Sequence, residues 1–218
     1  MAQVAGPTAA LAGIPAGLQA QGVWAGRRQL FVRFAAEAET ATMYTADALA
    51  NEVKRGMSRS AYHSISISGR DPLGNVEYLQ AAFKKIGDVM PVMLDCDGQR
   101  PAEINELRDF VKLTQVTLEG PGVEANADRA FESMQVAAKA GMQHAIVICV
   151  DEKTTDAHVL RLVERAHATS EQMMVVVHPS TGVPVDRDRR WTTLFERAAT
   201  LHRDVKLALR LPPPTGMR

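Results

Sequence analysis

The feature that most constrains this chain is an alternation of short apolar or β-branched runs with longer helix-forming stretches. Strand patterns cover 30–34, 64–68, 91–95, 113–119, 145–150, 173–177 and 206–211; helix patterns cover 46–55, 75–86, a run from Pro101, 127–140, a run from Thr154 and 189–201. Seven strands interleaved with six helices give the βαβ rhythm, which predicts a parallel sheet under covering helices with right-handed crossovers. The local signals agree. Ile65 and Ile67 alternate with serines, so that strand has one apolar face. Leu49, Val53 and Met57 fall a turn apart behind Thr45 as the cap, and Val159, Leu162, Val163 and Ala166 share a face behind Thr154, Thr155 and Asp156. Asn126 is expected to cap the helix over 127–140, Gly87 to stop the one before Pro91 in the left-handed conformation, and Pro212, Pro213 and Pro214 to end regular structure. A partial barrel and an open doubly wound sheet both satisfy this rhythm.

Composition removes several functional classes. The 218 residues carry 25 basic and 25 acidic side chains, so no whole-chain field draws nucleic acid or an anionic membrane surface. No apolar run reaches the roughly 18 residues that span a bilayer. Cys96 and Cys149 are the only cysteines and lie far apart, which argues against a disulfide framework and for a reducing, cytoplasmic setting. Residues 1–20, rich in alanine and glycine with Pro7 and Pro15, read as a mobile N-terminal tail ahead of a single domain over 21–218.

In either parallel architecture ligands bind at the C-terminal ends of the strands. Those ends carry Asp71, Asp95, Asp97, Glu119, Asp151 and His178. Together they could ligate a cation through oxygens or act as acid and base. The plainer reading is that aspartate at a strand–helix junction caps and turns the chain. His178 before Pro179 is read first as a structural histidine, and no histidine or cysteine spacing marks a metal site. Gly120 and Gly122 flank Pro121 without the lysine of a phosphate loop, and no G-x-S-x-G is present.

One resemblance gathers these motifs. Phe31-Val32-Arg33-Phe34-Ala35-Ala36 resembles the F-V-R-L-A-G that precedes C-x-x-x-C-x-x-C in radical S-adenosylmethionine enzymes of the 7-carboxy-7-deazaguanine synthase branch. Gln21, Gly22, Gly26 and Arg27 resemble its Q-G-E-G and following glycine-arginine; Ser68-Gly69-Arg70-Asp71-Pro72-Leu73 resembles its T-G-G-E-P-L; Asp95-Cys96-Asp97-Gly98-Gln99 stands where it has E-T-N-G-T. The resemblance implies an α/β partial TIM-like barrel of about six to seven βα units. Glu37, Ala41 and Tyr44 stand at the three cysteine positions. A carboxylate, a methyl and a phenol cannot hold a cluster that thiolates hold, so no iron-sulfur cluster is expected. Arg70 in place of a glycine is expected to obstruct S-adenosylmethionine, leaving Ser68, Gly69, Arg70 and Asp71 with the acids and His178 as a candidate ligand mouth. The leading expectation is a catalytically silent, protein-binding, scaffolding or regulatory module. The alternative is a non-radical enzyme or small-molecule binder using the mouth acids. The family also implies a possible homodimer.

Overall fold

In the computed structural model, residues 6–119, 123–180 and 189–208 are described, with the backbone alone for 123–125. Two short strands, β1 (Thr8–Gly13) and β2 (Ala16–Leu18), come first. They correct the expected tail. Both pair antiparallel with β3 (Arg28–Phe34), and β1 also pairs with β4 (Thr42–Thr45). Ala9 and Leu11 are buried in the main core, so this segment is held by backbone pairing and two apolar side chains. β4 ends directly at the first helix.

Six crossovers follow β3. The chain runs through α1 (Ala46–Arg59), β5 (Ser64–Gly69), α2 (Val76–Ile86), β6 (Val92–Cys96), the short α3 (Pro101–Ile104), β7 (Leu113–Leu118), α4 (Val123–Lys139), β8 (Gln143–Val150), α5 (Asp156–Thr169), β9 (Met174–Pro179), α6 (Arg190–Leu201) and β10 (Val205–Leu207). Neighbouring strands from β3 through β5, β6, β7, β8 and β9 to β10 pair in parallel. The sheet order is β10-β9-β8-β7-β6-β5-β3-β1-β4, with β2 off this path on β3, so among the described residues β10 and β4 end the path and β2 is a further short edge.

Thr45 and Thr155 cap as expected, each side chain accepting from the amide three residues on. Two boundary expectations are corrected. α4 begins at Val123, three residues ahead of Asn126, whose side chain accepts from Gln99 Nε2 at 3.3 Å. Gly87 has φ 80° but ψ 177°, so its positive φ leads into extended chain rather than a left-handed cap. The last strand ends at Leu207, and the expected 209–211 portion lies outside the described residues.

Alternation sorts the strand side chains. Leu30, Val32, Phe34, Ile65, Ile67, Leu94, Val116, Leu118, Ile146, Ile148, Val175 and Val177 share one large core. On the other face lie two small clusters, one around Met93, Leu113 and Ala145, the other around Val147, Cys149 and Val176. Val23 packs on both and Trp24 on the first. These two belong to a turn closed by hydrogen bonds from Gln19 N to Arg27 O and Gly26 N to Gln19 O, at 2.9 and 2.8 Å. The turn is pinned across this face, because Val23 N donates to Gln115 Oε1 at 3.0 Å and Lys206 Nζ donates to Val23 O at 2.8 Å. Gly22, at φ 84°, abuts the Gln115 amide so closely that a Cβ would collide with it. No described helix is long and apolar enough to cross a membrane.

Candidate functional site

The face that carries the turn is polar on one side. Asp95 on β6 and Gln115 on β7 are register partners in adjacent parallel strands, as are Thr117 and Val147 one layer higher, and Ser68 ends β5 beside them. Toward β8 and β9 the face becomes apolar. The polar side opens into a cavity of about 310 Å³ lined by Gln21, Ser68, Gly69, Asp95, Asp97, Thr117, Glu119 and Asn126, with Cys96 and Leu118 behind them.

Asp95 is its deepest charged group. Burial pushes its carboxyl up from 3.8 to about 6, and the neighbouring Gln115 and Gln19 side chains offset part of that rise by favouring the ionised form. Gln115 Oε1 is occupied by Val23 N, and Gln115 Nε2 is buried without a hydrogen-bond partner among the described residues. Gln21 Nε2 reaches Thr117 Oγ1 at 3.4 Å, and Gln21 Oε1 is buried without a partner among the described residues. Deeper in the same face, fully buried Ser66 Oγ also lacks a partner. The cavity therefore presents unfilled hydrogen-bonding capacity around a carboxyl that burial holds above the usual carboxylate range.

Of the expected mouth residues, Ser68, Gly69, Asp95, Asp97 and Glu119 come together in this cavity. Arg70 and Asp71 lie beside it, lining an adjoining cavity with Asp97. Arg70 pairs with Glu37 at 2.7 Å across the outer surface, so it does not fill the mouth. Gly69, at φ 96°, is where a Cβ would collide with the Phe34 carbonyl oxygen, and the β3–β5 contact requires glycine there.

Two expectations are corrected. Asp151 is consumed by its own loop, accepting from Lys153 N, Thr154 N and Thr154 Oγ1, and the Thr154 hydroxyl leads in holding its carboxyl below the usual range. His178 is buried within the sheet, its Nδ1 bonded to Ala208 O at 2.7 Å, and lines no part of the mouth. Gln19, Gln115, Thr117 and Asn126 were not expected here. For Gln115 and Thr117 the signal was their alternation with Val116 and Leu118; Gln19 carries none, since only the antiparallel turn delivers it.

The three cysteine-equivalent positions do not form a ligand set. Glu37 faces Arg70, Ala41 is an exposed methyl, and Tyr44 is a strand residue opposite Ala9 that packs on the main core. Nor can the chain's thiols substitute. Both are buried, and burial pushes Cys96 up to about 12, where it stays a thiol rather than the thiolate that binds metal. These residues do not fit an iron-sulfur cluster, and no group of three or more metal-binding side chains is found among the described residues.

No protein-family model and no curated protein matches the chain. Among solved structures it is similar to a radical S-adenosylmethionine methyltransferase from Sphaerobacter thermophilus, 13% identical over 84% of this chain and 66% of that chain, with a TM-score of 0.58. It is also similar to a type I 3-dehydroquinate dehydratase from Clostridium difficile, 11% identical over 90% of this chain and 81% of that one, TM-score 0.48. The 3-dehydroquinate dehydratase from Aquifex aeolicus is 11% identical over 74% and 73%, TM-score 0.44. Similarity at these identities concerns fold alone, and the dehydratases, at their lower TM-scores, carry no weight. The fold is α/β with mostly parallel strands.

Proposed function

We propose that this chain holds no iron-sulfur cluster and binds a small, donor-rich molecule in the mouth, acting without radical chemistry. The recessed Asp95 carboxyl carries the reading. With Glu119 on the same wall and the Gln21 carbonyl unpartnered, the mouth offers acceptors in excess, which suits a protonated amine, an amidine or a polyhydroxyl compound. The motifs resembling the 7-carboxy-7-deazaguanine synthase branch support descent from such an enzyme with its pocket retained. The two buried thiols suit a reducing compartment.

The test is a thermal-shift panel of amine-bearing nucleosides and amino acids, S-adenosylmethionine included. At least one compound is expected to raise the Tm of the wild-type chain and leave Asp95→Asn unmoved. A panel without effect at millimolar concentration contradicts the reading. A second reading, self-association, draws on the open β4 edge, which has no charged residue and whose Met43 is 63% exposed. Sedimentation then gives a dimer that Met43→Lys dissociates; a monomer at all concentrations ends that reading.

A further inference from the structure

Beside the mouth lies a wider, shallower cavity of about 640 Å³ lined by Arg70, Asp71, Asp97, Gln99, Arg100 and Arg129. The three guanidinium groups come from separate segments, after β5, after β6 and within α4. Arg100 grips Asp71 with two nitrogens, at 2.7 and 2.9 Å, and Asp71 is itself fixed at φ 44° with Gly74 N donating to its side chain. That fork forms one wall of the cavity. Arg129 donates to the neutral Gln99 Oε1 at 3.0 Å, and Gln99 is steadied by its own amide nitrogen on Asn126. Arg70 holds Glu37, whose side chain is 82% exposed, so little is lost when that carboxylate leaves. Asp97 is turned to its own loop, where its Oδ1 accepts from Gln99 N at 3.0 Å.

We infer that this shelf binds the phosphate of a phosphorylated ligand, with Glu37 as the resident carboxylate that the phosphate displaces from Arg70. A carboxylate is satisfied by one guanidinium fork, as Asp71 is by Arg100; Arg70 and Arg129, on separate segments, suit a dianion with acceptor oxygens for both. Since Asp97 lines both cavities, this deepens the reading of the mouth by adding a phosphate to the ligand class, and rests on that reading only for the bridging.

The shelf is tested alone, by calorimetric titration of the full chain with inorganic pyrophosphate. A saturable site is expected, weaker at about 300 mM salt than at about 50 mM. Arg129→Gln and Arg70→Gln each weaken it about tenfold, as for loss of a charge-assisted hydrogen bond. Glu37→Gln tightens it, because the competitor is gone. Arg161→Gln on α5 leaves it unchanged, and Asp95→Asn does too, which separates failure of the shelf from failure of the mouth. Absence of saturable heat with the wild type, an unaltered affinity in Arg129→Gln, or equal weakening by Arg161→Gln overturns the inference. Arg129 is exposed, so its variant is expected to fold with an unchanged Tm.

Discussion

Replacing Asp95 by asparagine should stabilise the protein. The folded carboxyl titrates at about 6 against an ordinary 3.8, a rise of about two units. Each unit is worth about 1.4 kcal/mol, so burying the ionised group costs about 3 kcal/mol. The sign follows from linkage. A folded value above the unfolded one means the stabilising contribution is fully present below about pH 4 and is lost as pH rises through about 6. Asparagine keeps the shape and never ionises. Urea unfolding at about pH 4.5, 6 and 8, comparing variant with wild type so that other acids cancel, reads the difference directly. The variant should gain up to about 3 kcal/mol at the highest pH, with the gap narrowing toward the lowest. A variant less stable than wild type at about pH 8, or a gap independent of pH, refutes the reasoning, because the carboxylate would then be a net stabilising group.

Two further outcomes follow from the same geometry. Gly69→Ala places a methyl against the Phe34 carbonyl at a positive φ and should cost about 1–3 kcal/mol in urea unfolding; a neutral change would mean the β3–β5 junction is looser than described. Cys96 and Cys149 should resist an aromatic disulfide reagent at pH 8 in the native protein and both react in urea, since both are buried; rapid native reaction of two thiols contradicts that placement.

The parallel core was legible because its signals are local: Ile65 and Ile67 alternating with serines, the stripe of Leu49 and Val53, the caps Thr45 and Thr155. The strands at the β4 edge were not. Thr8–Gly13 and Ala16–Leu18 have the alanine and glycine content of a tail and are preceded by Pro7 and Pro15, and their pairing partner lies further along the chain in β3. Thr42–Thr45 is strand only because β1 lies beside it. The site divided similarly. Asp95 and Glu119 could be placed from strand ends alone, whereas Gln19 depends on a turn and Arg129 on the neighbouring loop that carries Gln99. His178 and Asp151 sit at strand ends too, but one is bonded within the sheet and the other within its own loop, and position alone does not separate those fates.

The measurement that bears most directly on the account is anaerobic reconstitution with iron and sulfide, followed by desalting, iron analysis and electron paramagnetic resonance. With Glu37, Ala41 and Tyr44 where three thiolates would be needed, iron should fall to background and no reducible signal should appear. About four irons per chain with a reducible cluster signal would contradict it.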